Sequence, residues 1–206
     1  SELRKASMYL SAIVFVFCVC VVYLQASQDD QCSCPCFSVT TVPIELDELI
    51  SHAPLYSQAA TVDSSEANII DSVCLLLNKT NVESNALWQI NNVLLNGSSL
   101  PRAGIQTPSQ QKGCFDVVSP SRRYKDCILG IPCPGTYVLY SCIQTESCVT
   151  DPTKAEIIII SSRLVESEEC INKGMEIAWR SFPDVTFFLL PRKSQTPCVG
   201  FKICPF

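Results

Sequence analysis

The sequence predicts an all-β domain, either an up-and-down barrel or a sandwich, with one helix near its C-terminal end. Short apolar runs bounded by Pro, Gly, Asn or Ser recur from residue 55 to residue 161, a spacing typical of barrels and sandwiches. A later segment, 165–182, has helical periodicity instead. The chain also has 14 cysteines among 206 residues, which indicates either disulfides in an oxidising compartment or metal sites in a reducing one.

Composition excludes several classes of protein. Charged residues are 17% of the chain and hydrophobic residues 47%, so this is not a disordered polar chain. A net charge of -5 with only 15 basic residues argues against a nucleic-acid partner, which needs a clustered basic face. His52 is the single histidine. We expect it to be an exposed loop residue, because no nucleophile motif accompanies it.

The N-terminal segment indicates export. An uncharged apolar run, Met8–Leu24, follows Arg4 and Lys5, as in a secretory signal peptide. We expect a signal over 1–26, one mature domain over 27–206, a secreted protein, and a native start at Met8. The alternative is an uncleaved membrane anchor, and the run is at the short limit for a span.

The cysteine count fits the secreted reading. Cys18 and Cys20 lie within the apolar run, which leaves twelve cysteines, an even number that permits six disulfides. The close cysteines 32, 34 and 36 form a conceivable metal motif, but disulfides are favoured in a secreted chain. Asn78 and Asn96 begin Asn-X-Ser/Thr sequons and are candidate glycosylation sites.

The elements follow in order along the chain. Before residue 53 we expect irregular structure with a helical turn over 44–50, because cysteine and proline recur there. Asn96-Gly97 closes the third strand as a hairpin turn. Isoleucines 157–160 strongly favour the eighth. The eight expected strands are 55–62, 69–77, 86–95, 102–107, 114–118, 124–131, 136–143 and 155–161.

The helical segment 165–182 carries one apolar face, and Ser167 is a suitable N-cap. Glu168 and Glu169 stand in its first turn, where the helix dipole favours anions. Pro183 ends the helix, and one more strand is expected over 185–190.

Two segments carry a family resemblance. Residues 137–142 (YVLYSC) and 157–162, followed by Arg163, resemble the seventh- and eighth-strand motifs of the lipocalin family, particularly apolipoprotein D-like and arthropod members. In that motif the arginine packs across the barrel base. The family's Gly-x-Trp is absent from the first strand, where residues 53–56 read APLY. The aromatic lid over Arg163 is therefore either missing or supplied by Tyr56.

The resemblance implies an eight-stranded, up-and-down, antiparallel β-barrel with the C-terminal helix packed on its outside. It further implies two disulfides, one joining Cys32, Cys34 or Cys36 to Cys142 and one joining Cys74 to Cys198. Spacing alone does not fix connectivity. The remaining candidate pairs are Cys114–Cys127, Cys133–Cys148 and Cys170–Cys204.

The resemblance implies a carrier of one small hydrophobic molecule (a lipid, a retinoid-like molecule, a bilin or, in blood-feeding arthropods, an amine or eicosanoid) and does not choose among these classes. We expect no catalysis, cofactor, metal or nucleic acid. Candidate ligand contacts are Tyr56, Trp88, Tyr124, Tyr137 and Tyr140. Each serves equally well as core packing, because alternation does not tell which face points inward. The alternative is a disulfide-rich protein that acts through its surface, as a protease inhibitor or a protein-binding scaffold. An interior pocket of several hundred Å³ supports the carrier; a barrel filled by its own side chains argues against the carrier and leaves the surface role.

Overall fold

The computed structural model describes residues 36–61, 69–82, 84–120, 123–144, 156–193 and 197–198. The expected signal over 1–26 lies outside these residues. So do four of the twelve cysteines that follow this signal, Cys32, Cys34, Cys148 and Cys204.

Eight strands form a closed antiparallel ring. Each strand from β2 to β8 pairs with the next, and β1 pairs with both β8 and β2. The ninth strand pairs with β1 outside the ring. This confirms the up-and-down barrel and excludes the sandwich. The elements are α1 Leu46–His52, β1 Leu55–Ala60, β2 Ile70–Lys79, β3 Ala86–Leu94, β4 Ser99–Pro108, β5 Cys114–Val118, β6 Arg123–Cys133, β7 Thr136–Gln144, β8 Glu156–Ser161, α2 Glu168–Ser181 and β9 Phe188–Leu189.

Alternation along each strand separates the barrel interior from its outer face. On β7, Tyr137 and Leu139 belong to the interior cluster, whereas Val138 and Tyr140 belong to a cluster outside the barrel. Helix α1 precedes β1 and places Leu46 and Leu49 in the interior cluster. This end of the barrel is therefore closed, and we call the opposite end the mouth.

Helix α2 packs on the outer face, as expected. Ser167 caps it, accepting a hydrogen bond from the Cys170 backbone N–H at 3.3 Å. The helix lies very close to the sheet at Gly174, where a Cβ would stand 2.9 Å from Cδ1 of Ile159. Within the described residues, neither helix combines the length and hydrophobicity that a membrane span requires.

Three disulfides match expected pairs. Cys36 is bonded to Cys142 and Cys74 to Cys198, the two pairs that the resemblance implies. The Cys114–Cys127 disulfide joins directly opposed residues of β5 and β6.

The expected pairs Cys133–Cys148 and Cys170–Cys204 are wrong, because Cys133 is bonded to Cys170. Cys133 ends β6 and Cys170 lies in the first turn of α2, and α2 packs against β6. Their Cα atoms are 6.0 Å apart, within normal disulfide reach. The bond thus fastens the start of the outer helix to the barrel wall.

Candidate ligand-binding site

A cavity of about 40 Å³ lies inside the mouth half of the barrel. A cavity needs about 10–15 Å³ in this measure to hold one water, and a drug-sized pocket measures several hundred Å³. Side chains therefore fill most of this interior, and the pocket of several hundred Å³ expected of a carrier is not observed among the described residues. The free space suits a small group, such as an ammonium group with its adjoining carbon. The lining consists of Ser57, Val73, Leu75, Trp88, Ile90, Arg102, Tyr124, Asp126, Leu139, Ser141, Glu156, Ile158 and Ile160.

A row of polar side chains crosses one wall of this cavity. Asp126 on β6 is directly opposite Ser141 on β7, and Ser141 is directly opposite Glu156 on β8. All three line the cavity. The Ser141 hydroxyl donates a hydrogen bond to Asp126 Oδ1 at 2.6 Å. Asp126 is only 3% exposed, so a carboxyl group is held inside an otherwise largely apolar barrel.

Burial dominates the acidity of this carboxyl group. It raises the pKa of Asp126 to about 7, against the effect of the Ser141 hydrogen bond; the nearby carboxylates of Glu156 and Asp116 raise it further. Among the described residues no cation forms an ion pair with Asp126. The group consequently exchanges its proton near neutral pH.

Two of the five aromatic candidates line the cavity. Trp88 on β3 and Tyr124 on β6 both face it, with ring centroids 6.1 Å apart. Together they form an aromatic wall beside the acidic row.

The other three aromatic candidates lie elsewhere. Tyr56 alternates with the inward-facing Leu55 and Ser57, so it lies on the outer side of β1. Tyr140 also faces outward and contacts Phe182, with ring centroids 4.9 Å apart. Burial raises the pKa of Tyr140, although a hydrogen bond with the Phe37 backbone acts in the opposite direction.

Tyr137 is inside the barrel but at its closed end. Its hydroxyl oxygen lies 2.5 Å from Nδ1 of His52, at hydrogen-bond distance. Burial, with a smaller effect of Glu48, raises the pKa of Tyr137 to about 12. The expectation of an exposed loop histidine is wrong, because His52 is half-buried and ends α1 over this tyrosine.

Arg163 does not pack across the barrel base as the resemblance implies. Its side chain is 65% exposed, and its guanidinium donates to Glu166 at 3.1 Å. In the segment 53–56, where the Gly-x-Trp is absent, Leu55 is fully buried.

Glu166 is the buried partner in this ion pair. Burial by itself raises its pKa. Hydrogen bonds from the Ser167 backbone N–H and from the hydroxyls of Thr136 and Ser161, with the charge of Arg163, outweigh burial and hold the pKa of Glu166 below its usual value. The carboxylate therefore stabilises the turn before α2 rather than the cavity.

Sequence reasoning missed the polar groups of the interior. Asp126 stands between Tyr124 and Ile128 in a period-2 pattern, and this alternation is the signal that places its side chain inward. Asn92 continues the inward face of Trp88 and Ile90. Its Oδ1 is buried and has no hydrogen-bond partner among the described residues, and the same holds for Oε1 of Gln106. No three His, Cys, Asp or Glu side chains of the described ranges are placed to hold a metal ion.

No protein-family model and no curated protein match this sequence. Solved structures do resemble it. The amine binding protein of Rhodnius prolixus, in its tryptamine complex, is 12% identical with a TM-score of 0.56, over 73% of this chain and 84% of that one. Lobster apocrustacyanin A1 is 16% identical with a TM-score of 0.52, over 78% and 93%. Per a 4, a major allergen from cockroaches, is 14% identical with a TM-score of 0.52, over 75% and 93%. These likenesses show that the chain has the lipocalin fold.

Proposed function

We propose that this chain is a divergent, secreted lipocalin that carries one small molecule in the mouth half of its barrel. The observation that carries the proposal is the row of Asp126, Ser141 and Glu156 facing a cavity in the barrel interior. Burying a carboxyl group costs free energy, and a barrel that served only as a scaffold would gain nothing from it. A ligand site is the simplest use of such a group.

The size of the cavity limits how the ligand is held. About 40 Å³ accommodates a compact polar group rather than a whole molecule. The apolar remainder of the ligand extends toward the mouth, past Trp88 and Tyr124. Its burial stabilises the complex by about 25 cal/mol for each Å² of apolar surface removed from water. A side chain at the rim, such as the exposed Arg102, moves aside to admit it.

Similarity supports the carrier function only at the level of fold. One protein of this fold is named for binding amines and was solved with tryptamine. Fold alone does not fix function, so the ligand class must come from this chain's own residues. No catalytic step, cofactor or metal is part of the proposal.

Secretion is proposed from the cysteines and the N-terminal run. The four disulfides suit an oxidising compartment, and residues 1–26 have the composition of a signal peptide. The sequon asparagines Asn78 and Asn96 are both exposed, as glycosylation requires. Expression in a secreting cell line tests this: we expect an N-terminus near residue 27 and a mass loss on treatment with peptide N-glycosidase.

A surface function is the second candidate, and the small size of the cavity favours it. Ile105 and Val118 are directly opposed on β4 and β5 and are 36% and 45% exposed. Such an apolar pair on an outer face suits a protein contact. If this role is the correct one, the secreted protein holds no ligand and Asp126 is dispensable for its activity.

Native mass spectrometry of the secreted protein tests the carrier function directly. We expect an excess mass that disappears on denaturation. Fluorescence gives a second readout, because Trp179→Phe leaves Trp88 in the cavity wall as the only tryptophan. Titration with extracts of the source tissue then changes the Trp88 emission. A protein that carries no excess mass and gives constant emission contradicts the proposal.

A further inference from the structure

We propose that the ligand is a primary amine, whose ammonium group binds against Asp126 and Ser141 while its apolar part contacts Trp88 and Tyr124. This inference rests on the proposed carrier function and deepens it. It assigns a charge and a chemical class to the ligand, which the resemblance to lipocalins leaves open.

The charges around the cavity favour a cation. Asp126 and Glu156 both line it, and Asp116 on β5 lies near enough to add to the negative potential at Asp126. Arg102 is the one cation among the lining residues. It stands at the rim on β4 and is exposed. Among the described residues it forms no ion pair with the deeper carboxyl group of Asp126.

Hydrogen-bonding capacity leads to the same class. Asn92 Oδ1 accepts no hydrogen bond within the described residues. The side chain shares the inward face of Ile90, and its cross-strand partner Val73 lines the cavity. The barrel interior thus holds an unpaired amide oxygen in addition to the Asp126 carboxyl group, and an unpaired buried acceptor costs free energy. An ammonium group carries three donors and no acceptor, so it matches this surplus.

Size and shape fit the same assignment. An ammonium group is close in size to water, and the cavity has room for it and for the carbon that it is bonded to. Trp88 and Tyr124 lie beside it with their rings 6.1 Å apart, and aromatic faces attract cations. A carboxylate or phosphate would meet Asp126 and Glu156 with the same sign of charge.

Three probes of matched shape test the charge: 2-phenylethylamine, 2-phenylethanol and 3-phenylpropanoate. Binding is measured by Trp88 emission in the Trp179→Phe protein and by calorimetry at pH 8. We expect the amine to bind at least tenfold more tightly than the alcohol, and the propanoate not to bind. Asp126→Asn should abolish the tenfold preference. The control Asp184→Asn, at an exposed position in the turn after α2, should change amine affinity less than twofold.

The pH dependence provides an independent readout. Amine binding requires the ionised carboxylate, whose pKa is raised by burial to about 7. The ionised fraction falls about tenfold between pH 8 and pH 6, so the affinity should fall about tenfold. The amine stays charged over this interval. In Asp126→Asn the amine affinity should stay constant between pH 8 and pH 6. This result also shows that a pH-dependent loss of fold does not cause the change in the wild-type protein.

The outcomes separate the two proposals. If the alcohol or the propanoate binds as tightly as the amine, the amine inference is overturned and the carrier function stands. If none of the three binds, the amine inference is likewise overturned, and native mass spectrometry then decides the carrier function by itself. An amine preference that survives in Asp126→Asn overturns the assignment to this residue.

Discussion

Replacing Asp126 by Asn should make the unliganded protein more stable at pH 8 and change its stability little at pH 4. Burial raises the pKa of Asp126 from 3.8 to about 7, and one pKa unit corresponds to about 1.4 kcal/mol. Ionising this group therefore costs the folded state about 4 kcal/mol relative to the unfolded chain. Asparagine has nearly the same shape and no charge to bury.

The sign follows from proton binding. The folded protein holds the Asp126 proton more tightly than the unfolded chain does. The stabilisation by this group is therefore complete below pH 3.8 and is lost as the pH rises to about 7. Other groups titrate in both proteins, so the informative quantity is the difference in unfolding free energy between variant and wild type. We expect this difference to increase by about 4 kcal/mol from pH 4 to pH 8.

Urea denaturation with intact disulfides, followed by circular dichroism at several pH values, measures this difference. Asp184→Asn is the matched control, because that residue is exposed in the turn after α2. Its difference from wild type should stay constant with pH. A constant difference for Asp126→Asn as well would refute the reasoning, since it would mean that the carboxyl group is not desolvated.

Three sites away from the cavity test the contributions of the backbone, a helix cap and a disulfide. Gly113 and Gly97 both have positive φ, but an added Cβ at 113 would lie 2.1 Å from a backbone oxygen and one at 97 would meet nothing within 4 Å. We expect Gly97→Ala to cost about 1 kcal/mol and Gly113→Ala at least about 2 kcal/mol more; equal losses in urea denaturation would contradict this. Ser167→Ala removes the cap of α2 and should cost about 1 kcal/mol in the same assay, so an unchanged midpoint would contradict the cap assignment. Replacing Cys36 and Cys142 by Ala opens a link across 106 residues and should cost about 4–5 kcal/mol in the chain-entropy model; a loss below about 1 kcal/mol would show that the unfolded chain is already compact.

The order of the elements could be predicted because it depends on local patterns. Alternation and turn residues delimit the strands, and the period of Ile171, Met175 and Ala178 delimits α2. Proline was less informative. The fourth strand is expected over 102–107, between Pro101 and Pro108, but β4 includes both prolines. The last strand is expected over 185–190 but spans only Phe188–Leu189. Val185 and Phe187 pack instead against the cluster outside the barrel that contains Tyr140.

The candidate site depended on information that one strand does not contain. Alternation shows that Trp88 and Tyr140 each belong to a face, but only closure of the barrel decides that Trp88 faces inward and Tyr140 outward. The role of Asp126 depends on neighbours contributed by β7 and β8, far away in sequence. The Cys133–Cys170 bond likewise depends on which part of the outer wall α2 covers.

The disulfide pattern has a consequence for how the protein survives proteases. The loop closed by Cys36–Cys142 overlaps the loop closed by Cys74–Cys198. Every peptide bond from residue 36 to residue 198 therefore lies within at least one covalent ring. A single cut in any loop of the barrel leaves both pieces bonded to each other, so a nicked molecule keeps its mass, plus one water, until it is reduced. Limited digestion should accordingly yield fragments on a reducing gel and one intact band on a non-reducing gel.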